Sequence, residues 1–453
     1  MLVAVNYIKT PSVERLVKLW AERYKPDLSS LASEEDDPRS YTDLIEAASP
    51  ESRPLTAKKL HQRLIAIKCQ MAGIQTNCLY AYIPNIVDLS EANKLANFAL
   101  LIYLKILEIY QQTSPTAREE KALISTAIAT SGEVSFSSWE MLSTEAWGMP
   151  GIQEIATALE PILLEFQEQH ILSHNWHTLG FITTLLNFSN KLLLLSEKLT
   201  PAEQILIQPY LKFVEEQVAL PWQRVCIAAA QYDVNSPIFK LVEQLFPVSR
   251  DIAKVVYSRL MELLPNHRSR RGELTDPGIT HSCLRDLEMF QAYLWLCLLE
   301  KSMAPIESEL LDLCVMVMTA VHVKWEMTEL WNKLLSEEIL ARLTPDQRTI
   351  LQPYTDGLQQ AFLKHRDRFD IPILNKIKPE ILSNNTQKRG EIKQKILGQN
   401  YKKNGESIQL SYMSQEIERL TKKMDELDRE LARTREQLTQ KRDRFGISQR
   451  DKD

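Results

Sequence analysis

Cys283-Leu284-Arg285-Asp286-Leu287-Glu288 puts a thiol, a guanidinium and a carboxylate within one helical turn. A thiol can form a thioether. A guanidinium holds a propionate or phosphate in a planar fork. A carboxylate accepts hydrogen bonds from ring N–H groups. Together these are the groups needed to hold a linear tetrapyrrole. A plainer reading of the same turn stays open: a half-buried helical cysteine beside an Arg–Asp surface pair. Ahead of it, the loop from Pro265 to Ser282 carries Arg268, Arg270 and Arg271. Behind it a long apolar run begins, so the helix that bears the cluster runs into a core.

The rest of the chain must position that turn. It has 453 residues, enough for two or three domains, with 44% apolar and 25% charged residues, the balance of an ordinary globular protein. Only 12 residues are glycine, against a usual share of about 7%. With so few left-handed turns and long runs of 3.6-residue periodicity, an all-α protein is expected. A net charge of −5 gives no case for a nucleic-acid partner. The six cysteines, Cys69, Cys78, Cys226, Cys283, Cys297 and Cys314, form no CxxC pair, so no metal site is expected. The amino terminus lacks a basic start and a long apolar core, which leaves a cytoplasmic location with free thiols as the expectation. No run reaches the roughly 18 apolar residues of a transmembrane helix; Leu310 to Val321 reads as a buried core helix. No P-loop, dinucleotide fingerprint, HExxH or nucleophile elbow occurs, so the chain is not expected to be an enzyme.

Residues 8–25 have the pattern of a short amphipathic helix. The acid-rich stretch 27–53 reads as a solvated linker, closing a segment of 1–54. Residues 55–196 read as a helical domain of unassigned role, with helices over Ala57–Ala72, Ser90–Gln112, Thr116–Thr130, Gln153–His170 and Gly180–Glu197. His170, His174 and His177 straddle a helix break and read as cap or surface histidines. Leu199-Thr200-Pro201 is echoed by Leu343-Thr344-Pro345; Thr followed by Pro suits N-cap and N1, so both sites read as helix starts. Residues 367–409 read as a basic linker. From Leu410, the positions Met413, Ile417, Leu420, Met424, Leu427, Leu431, Thr434 and Leu438 alternate spacings of three and four. That is an a/d seam, so 410–445 reads as a coiled coil, with 410–440 joining copies of the chain into a homo-oligomer; a single helix folded back on the body is the alternative.

The strings around Cys283 resemble those of the phycobiliproteins, of the allophycocyanin type. Cys-x-Arg-Asp appears as Cys283 to Asp286. Ala304-Pro305-Ile306-Glu307 is similar to the family's Pro-Ile-Glu turn at matching spacing. Asp251-Ile252-Ala253-Lys254-Val255-Val256-Tyr257 resembles the helix before the chromophore loop. Leu199-Thr200-Pro201-Ala202-Glu203 resembles the start of the first globin-like helix, and Pro353-Tyr354-Thr355-Asp356 a string of the last. The resemblance covers about 197–366. It departs from the family at Met289-Phe290, where two aromatics are usual, in the wording of the loop, and in the long extra segments at both ends.

The resemblance implies a phycobilisome- or globin-like domain over 197–366 and a bilin, a linear tetrapyrrole joined covalently to Cys283. Arg285 would pair with a propionate and Asp286 would accept from the pyrrole N–H groups. Arg270, Arg271 and Lys254 would face the other propionate. Tyr293 and Trp325 would pack against the rings, or serve as ordinary core aromatics. Arg271 and Arg285 are expected to favour the Cys283 thiolate. The implied setting is light harvesting or its regulation, with phycobilisome subunits as partners, at the thylakoid surface. A second class of function stays open beside it: a chromophore-free adaptor that oligomerises through its coiled coil and docks on partner helices.

Overall fold

A computed structural model describes residues 9–27, 38–80, 89–112, 148–170, 176–196 and 198–366. The chain divides into two units, Met1–Asn375 and Lys376–Asp453, and all described residues lie in the first. The expected helix over Thr116–Thr130, the basic linker and the coiled coil lie outside the described residues. So do His174 and the side chains of His170 and His177.

Among the described residues the protein is all-α: 15 helices and one two-stranded hairpin. Helix α1 (Pro11–Glu22) starts at an N-cap, Thr10, whose hydroxyl accepts from Val13 N. Helix α2 (Pro38–Ala48) lies inside the stretch read as a solvated linker. Its acids are solvated, but Leu44, Ala47 and Ala48 are buried, and that apolar stripe is what draws the segment onto the body. Next come α3 (Arg53–Lys59), α4 (Gln62–Tyr80), α5 (Leu89–Tyr110), α6 (Ile152–His170) and α7 (Trp176–Leu194). Helix α4 packs on both α5 and α7, and α7 on α8 (Pro201–Ala219).

Helix α8 links this layer to the remainder. After it come α9 (Trp222–Ala228), α10 (Pro237–Leu245) and α11 (Ser249–Leu263). The hairpin of β1 (Arg268–Ser269) and β2 (Gly272–Glu273) precedes α12 (Pro277–Glu300). A π-turn at Ile306–Leu310 leads into α13 (Leu311–Ala320), followed by α14 (Trp325–Ala341) and α15 (Pro345–Lys364). Helix α12 is the centre of this part: it contacts α9, α10, α11 and α15. Every residue from Leu287 to Leu299 is buried, and a helix apolar all round can only be stable inside a core.

The two Leu-Thr-Pro strings are both helix starts. Thr200 caps α8 and Thr344 caps α15, each in a reciprocal capping box closed by Glu203 or Gln347. Two orphan N–H groups are satisfied at each end, which is all the echo requires. Helix α12 begins at Pro277, six residues before Cys283, although that stretch reads as loop from sequence. Asp276-Pro277 at N-cap and N1 is the start signal that overrides the nearby Gly278.

Glu215 and Glu216, adjacent in the buried face of α8, tie the layers together. Neighbours on a helix point about 100° apart, so the two carboxylates serve different networks. Glu216 accepts from Tyr24 Oη at 2.9 Å and pairs with Arg23 at 3.4 Å. Arg23 also pairs with Glu288 of α12 and lies over the Trp222 ring, 4.2 Å from its centroid. Arg250 of α11 reaches Glu288 at 2.6 Å. These buried charges are compensated by one another, which is the condition for burying them at all. Glu215 turns the other way, toward the cluster on α12.

Candidate functional site

The first turns of α12, before it enters the core, carry Cys283, Arg285 and Asp286. Two adjoining cavities open there, with about 660 and 580 Å³ of empty space, part of it open to solvent. Both are lined by Arg271, Asp286, Val317 and Met318. Cys283 lines the first, with Trp331, Met327 and Leu274; Arg285, Phe290 and Tyr80 line the second. The walls are mainly apolar with a few converging polar groups, the lining usual at a small-molecule site. Helices α4 and α7 close one side of the second cavity through Tyr80, Gly180, Thr183 and Thr184. Tyr80 and Thr184 are joined there by a 2.8 Å hydrogen bond. Part of the segment 55–196 thus contributes directly to the cavity walls.

Arg285 is half-buried and fully engaged. Its Nε and Nη2 donate to Asp286 Oδ1 at 3.1 and 2.8 Å, and its Nη1 donates to Glu215 Oε1 at 3.1 Å. Glu215 is 4% exposed. Its Oε1 also receives Asn187 Nδ2 at 3.0 Å and lies 3.0 Å from His281 Nε2, while Oε2 receives Asn190 Nδ2 at 3.3 Å. Burial opposes the charge, but the bond to His281, the Arg285 guanidinium and the Asn187 amide overcome it and hold the carboxyl at about 2. The group that meets Arg285 in this structure is therefore a side chain of α8, not a ligand.

Arg271 differs from Arg285. The hairpin turn brings it to the wall of both cavities, and its guanidinium forms no ion pair or hydrogen bond among the described residues. The turn depends on Gly272, at φ +135°, where a Cβ would fall on Asp276 Oδ2; only glycine takes that conformation without strain. Arg271 N donates to Ser269 Oγ at 3.1 Å, and Arg270 N donates to Val321 O at 2.9 Å, pinning the hairpin to the end of α13. Arg270 itself points to solvent and lines neither cavity. Lys254 is likewise exposed on α11.

Burial, reinforced by Asp286, pushes the Cys283 thiol up to about 12. Arg271 and Arg285 act in the opposite direction but do not prevail, in part because Arg285 is neutralised by two carboxylates. The expected thiolate is thus not the resting form; the thiol keeps its proton at neutral pH. Tyr293 lies deeper in the core, 3.5 Å from Glu309 Oε2, beside the Arg224–Glu309 pair. Trp325 opens α14 in a separate groove with Asp356 and Phe362, its ring 5.7 Å from Arg366. Neither aromatic lines the Cys283 cavities. The aromatic rings that do are Trp331, six residues beyond Trp325 on the same helix, with Phe290 and Tyr80. Glu215, Asn187 and Asn190 have no counterpart in the sequence reading; the only signal was a pair of acids in an apolar helical run. No group of three or more His, Cys, Asp or Glu suited to a metal occurs among the described residues, and no described helix is long and apolar enough to cross a membrane.

Residues 230–362 match the family model described as phycobilisome protein. The match lies within the segment whose strings resemble the phycobiliproteins, and it spans the hairpin, α12, α13 and α14. No curated protein matches the chain, and no solved structure does.

Proposed function

We propose that the segment matching the phycobilisome-protein family holds a linear tetrapyrrole in the two cavities, and that the chain serves phycobilisome light harvesting or its regulation. One observation carries this reading: a thiol, a carboxylate and a guanidinium with no partner among the described residues line the same largely apolar space. Cys283 would be the attachment point, Asp286 would face the pyrrole N–H groups, and Arg271 would meet a propionate. Trp331 and Phe290 would flank the rings. Such a group, when bound, supplies absorption of visible light. The protein's part is to keep the group extended and dry, because a mobile pigment loses its excitation as heat. Arg285 would act indirectly, by holding Asp286.

Co-expression with bilin-synthesis enzymes tests the reading. A visible band that survives denaturation is expected, with zinc-dependent fluorescence of the denatured protein. Cys283→Ala should abolish both, while Asp286→Asn should keep attachment and shift the red absorption. Pigment persisting on Cys283→Ala, or none on the parent chain, would overturn it.

Two observations favour a second reading, a chromophore-free adaptor: Arg285 is already satisfied by Glu215, and the Cys283 thiol is protonated at neutral pH. On that reading the chain docks on phycobilisome subunits at the thylakoid surface, and the heptad seam of 410–440 sets its oligomeric state.

A further inference from the structure

We infer that Glu215 stands on Arg285 in the place of a ligand carboxylate, so that the pocket selects a ligand by one carboxylate only, the one that meets Arg271. The inference rests on the pocket reading above and adds to it which anionic groups of the ligand count.

Three observations converge. Arg285 has all three of its nitrogens engaged by protein carboxylates, and its side chain is only 13% exposed. A ligand carboxylate would have to displace Glu215 to reach it. Glu215 is not a loose occupant: two asparagine amides from α7 and the His281 ring hold it. Displacing it would strand a buried carboxylate, which costs more than one new charge-assisted bond returns.

The local charge points the same way. Arg271 and Arg285 both lie close enough to act on Lys191, and the facing acids are Glu215 and Asp286. The cluster therefore holds one cation more than it holds anions. Arg285 answers to both acids, which leaves Lys191, which lines neither cavity, and the Arg271 guanidinium, half-buried on the wall shared by the two. One carboxylate balances the cluster. A second would find no other unpaired cation lining either cavity among the described residues and would remain in solvent, where its esterification changes little.

The test uses the purified full chain, titrated with biliverdin, its monomethyl ester and its dimethyl ester, and followed by the visible absorbance of the pigment and by quenching of tryptophan fluorescence. The diacid and the monoester are expected to bind within about threefold of each other, and the diester about tenfold or more weakly, the value of one charge-assisted hydrogen bond. Arg271→Gln should remove the gap between monoester and diester. Glu215→Gln, which frees Arg285, should let the diacid gain about tenfold over the monoester. The comparison on the unmodified chain stands even if that variant folds poorly. If the diacid outbinds the monoester tenfold on the unmodified chain, or all three bind alike, the carboxylate inference falls while the pocket stands. If none of the three binds, the pocket reading itself falls.

Discussion

Protonating or neutralising Glu215 should unlock the contact between α7, α8 and α12, and the size of the effect follows from its environment. The folded carboxyl sits at about 2, against an ordinary value of 4.5. The native state therefore binds this proton more weakly than the unfolded state does, and the ionised group lends roughly 3 kcal/mol of stability at neutral pH. Because the value is depressed on folding, that contribution is nearly whole above about pH 4.5 and drains away as pH falls toward 2; by pH 3 somewhat more than half of it is gone. Glu215→Gln removes the charge but not the volume. Urea denaturation at pH 7 should show the variant less stable by about 3 kcal/mol, and the gap should shrink to roughly 1 kcal/mol at pH 3. A difference that stays constant between pH 7 and pH 3 would refute the argument, because it would mean that the side chain's shape, not its charge, is what the structure uses. A double-mutant cycle with Arg285→Gln supplies the internal control: the coupling should exceed about 1 kcal/mol if the pair acts as a unit.

Three further outcomes are expected. Gly272→Ala forces a Cβ onto the Asp276 carboxylate at a φ that side chains rarely adopt, so it should cost about 1–3 kcal/mol in chemical denaturation and displace Arg271; a neutral substitution would show that the hairpin does not fix that residue. Cys283, with its thiol at about 12 against an ordinary 9.0, should alkylate with iodoacetamide at pH 8 about a thousandfold more slowly in the native chain than in urea, read by peptide mapping; equal rates would contradict the burial argument. Placing Asp at both Leu420 and Leu427 puts charges on the heptad seam, where they must be desolvated or the helices part; light scattering that finds the same mass for parent and double variant would remove self-association from the reading.

What the sequence disclosed and what it hid divide along sequence distance. The helix starts at Thr200 and Thr344 were legible because Thr followed by Pro is a signal carried by two adjacent residues; the capping boxes that complete them are closed within four residues. The all-α class followed from the scarcity of glycine and from apolar periodicity, both local properties. Cys283, Arg285 and Asp286 were legible as a cluster because one turn of helix brings them together. The partner of Arg285 was not, since Glu215 lies 70 residues earlier on another helix. The same holds for Arg23 and Glu288, 265 residues apart. Between Arg270 and Arg271, and between Trp325 and Trp331, residue type cannot decide: each pair offers the same chemistry, and only the turn geometry and the register of α14 select the member that reaches the cavity.

That asymmetry bears on how the segment 55–196 is to be understood. An acid buried in an apolar helix must find a cation and hydrogen-bond donors or become neutral. Glu215 finds Arg285 on the family-like segment, and Asn187 and Asn190 on α7. The same α7 supplies Gly180, Thr183 and Thr184 to the second cavity. One helix of the added layer thus walls the pocket and fixes the carboxylate that claims the pocket's arginine. A layer that merely covered the domain would need the first contact and not the second. Asn190 also accepts from Tyr103 and donates to Leu211 O, whereas the Asn187 amide serves Glu215; shortening Asn187 to alanine would leave the cavity wall intact and loosen Glu215, so this asparagine is where covering the pocket and shaping its charge can be separated.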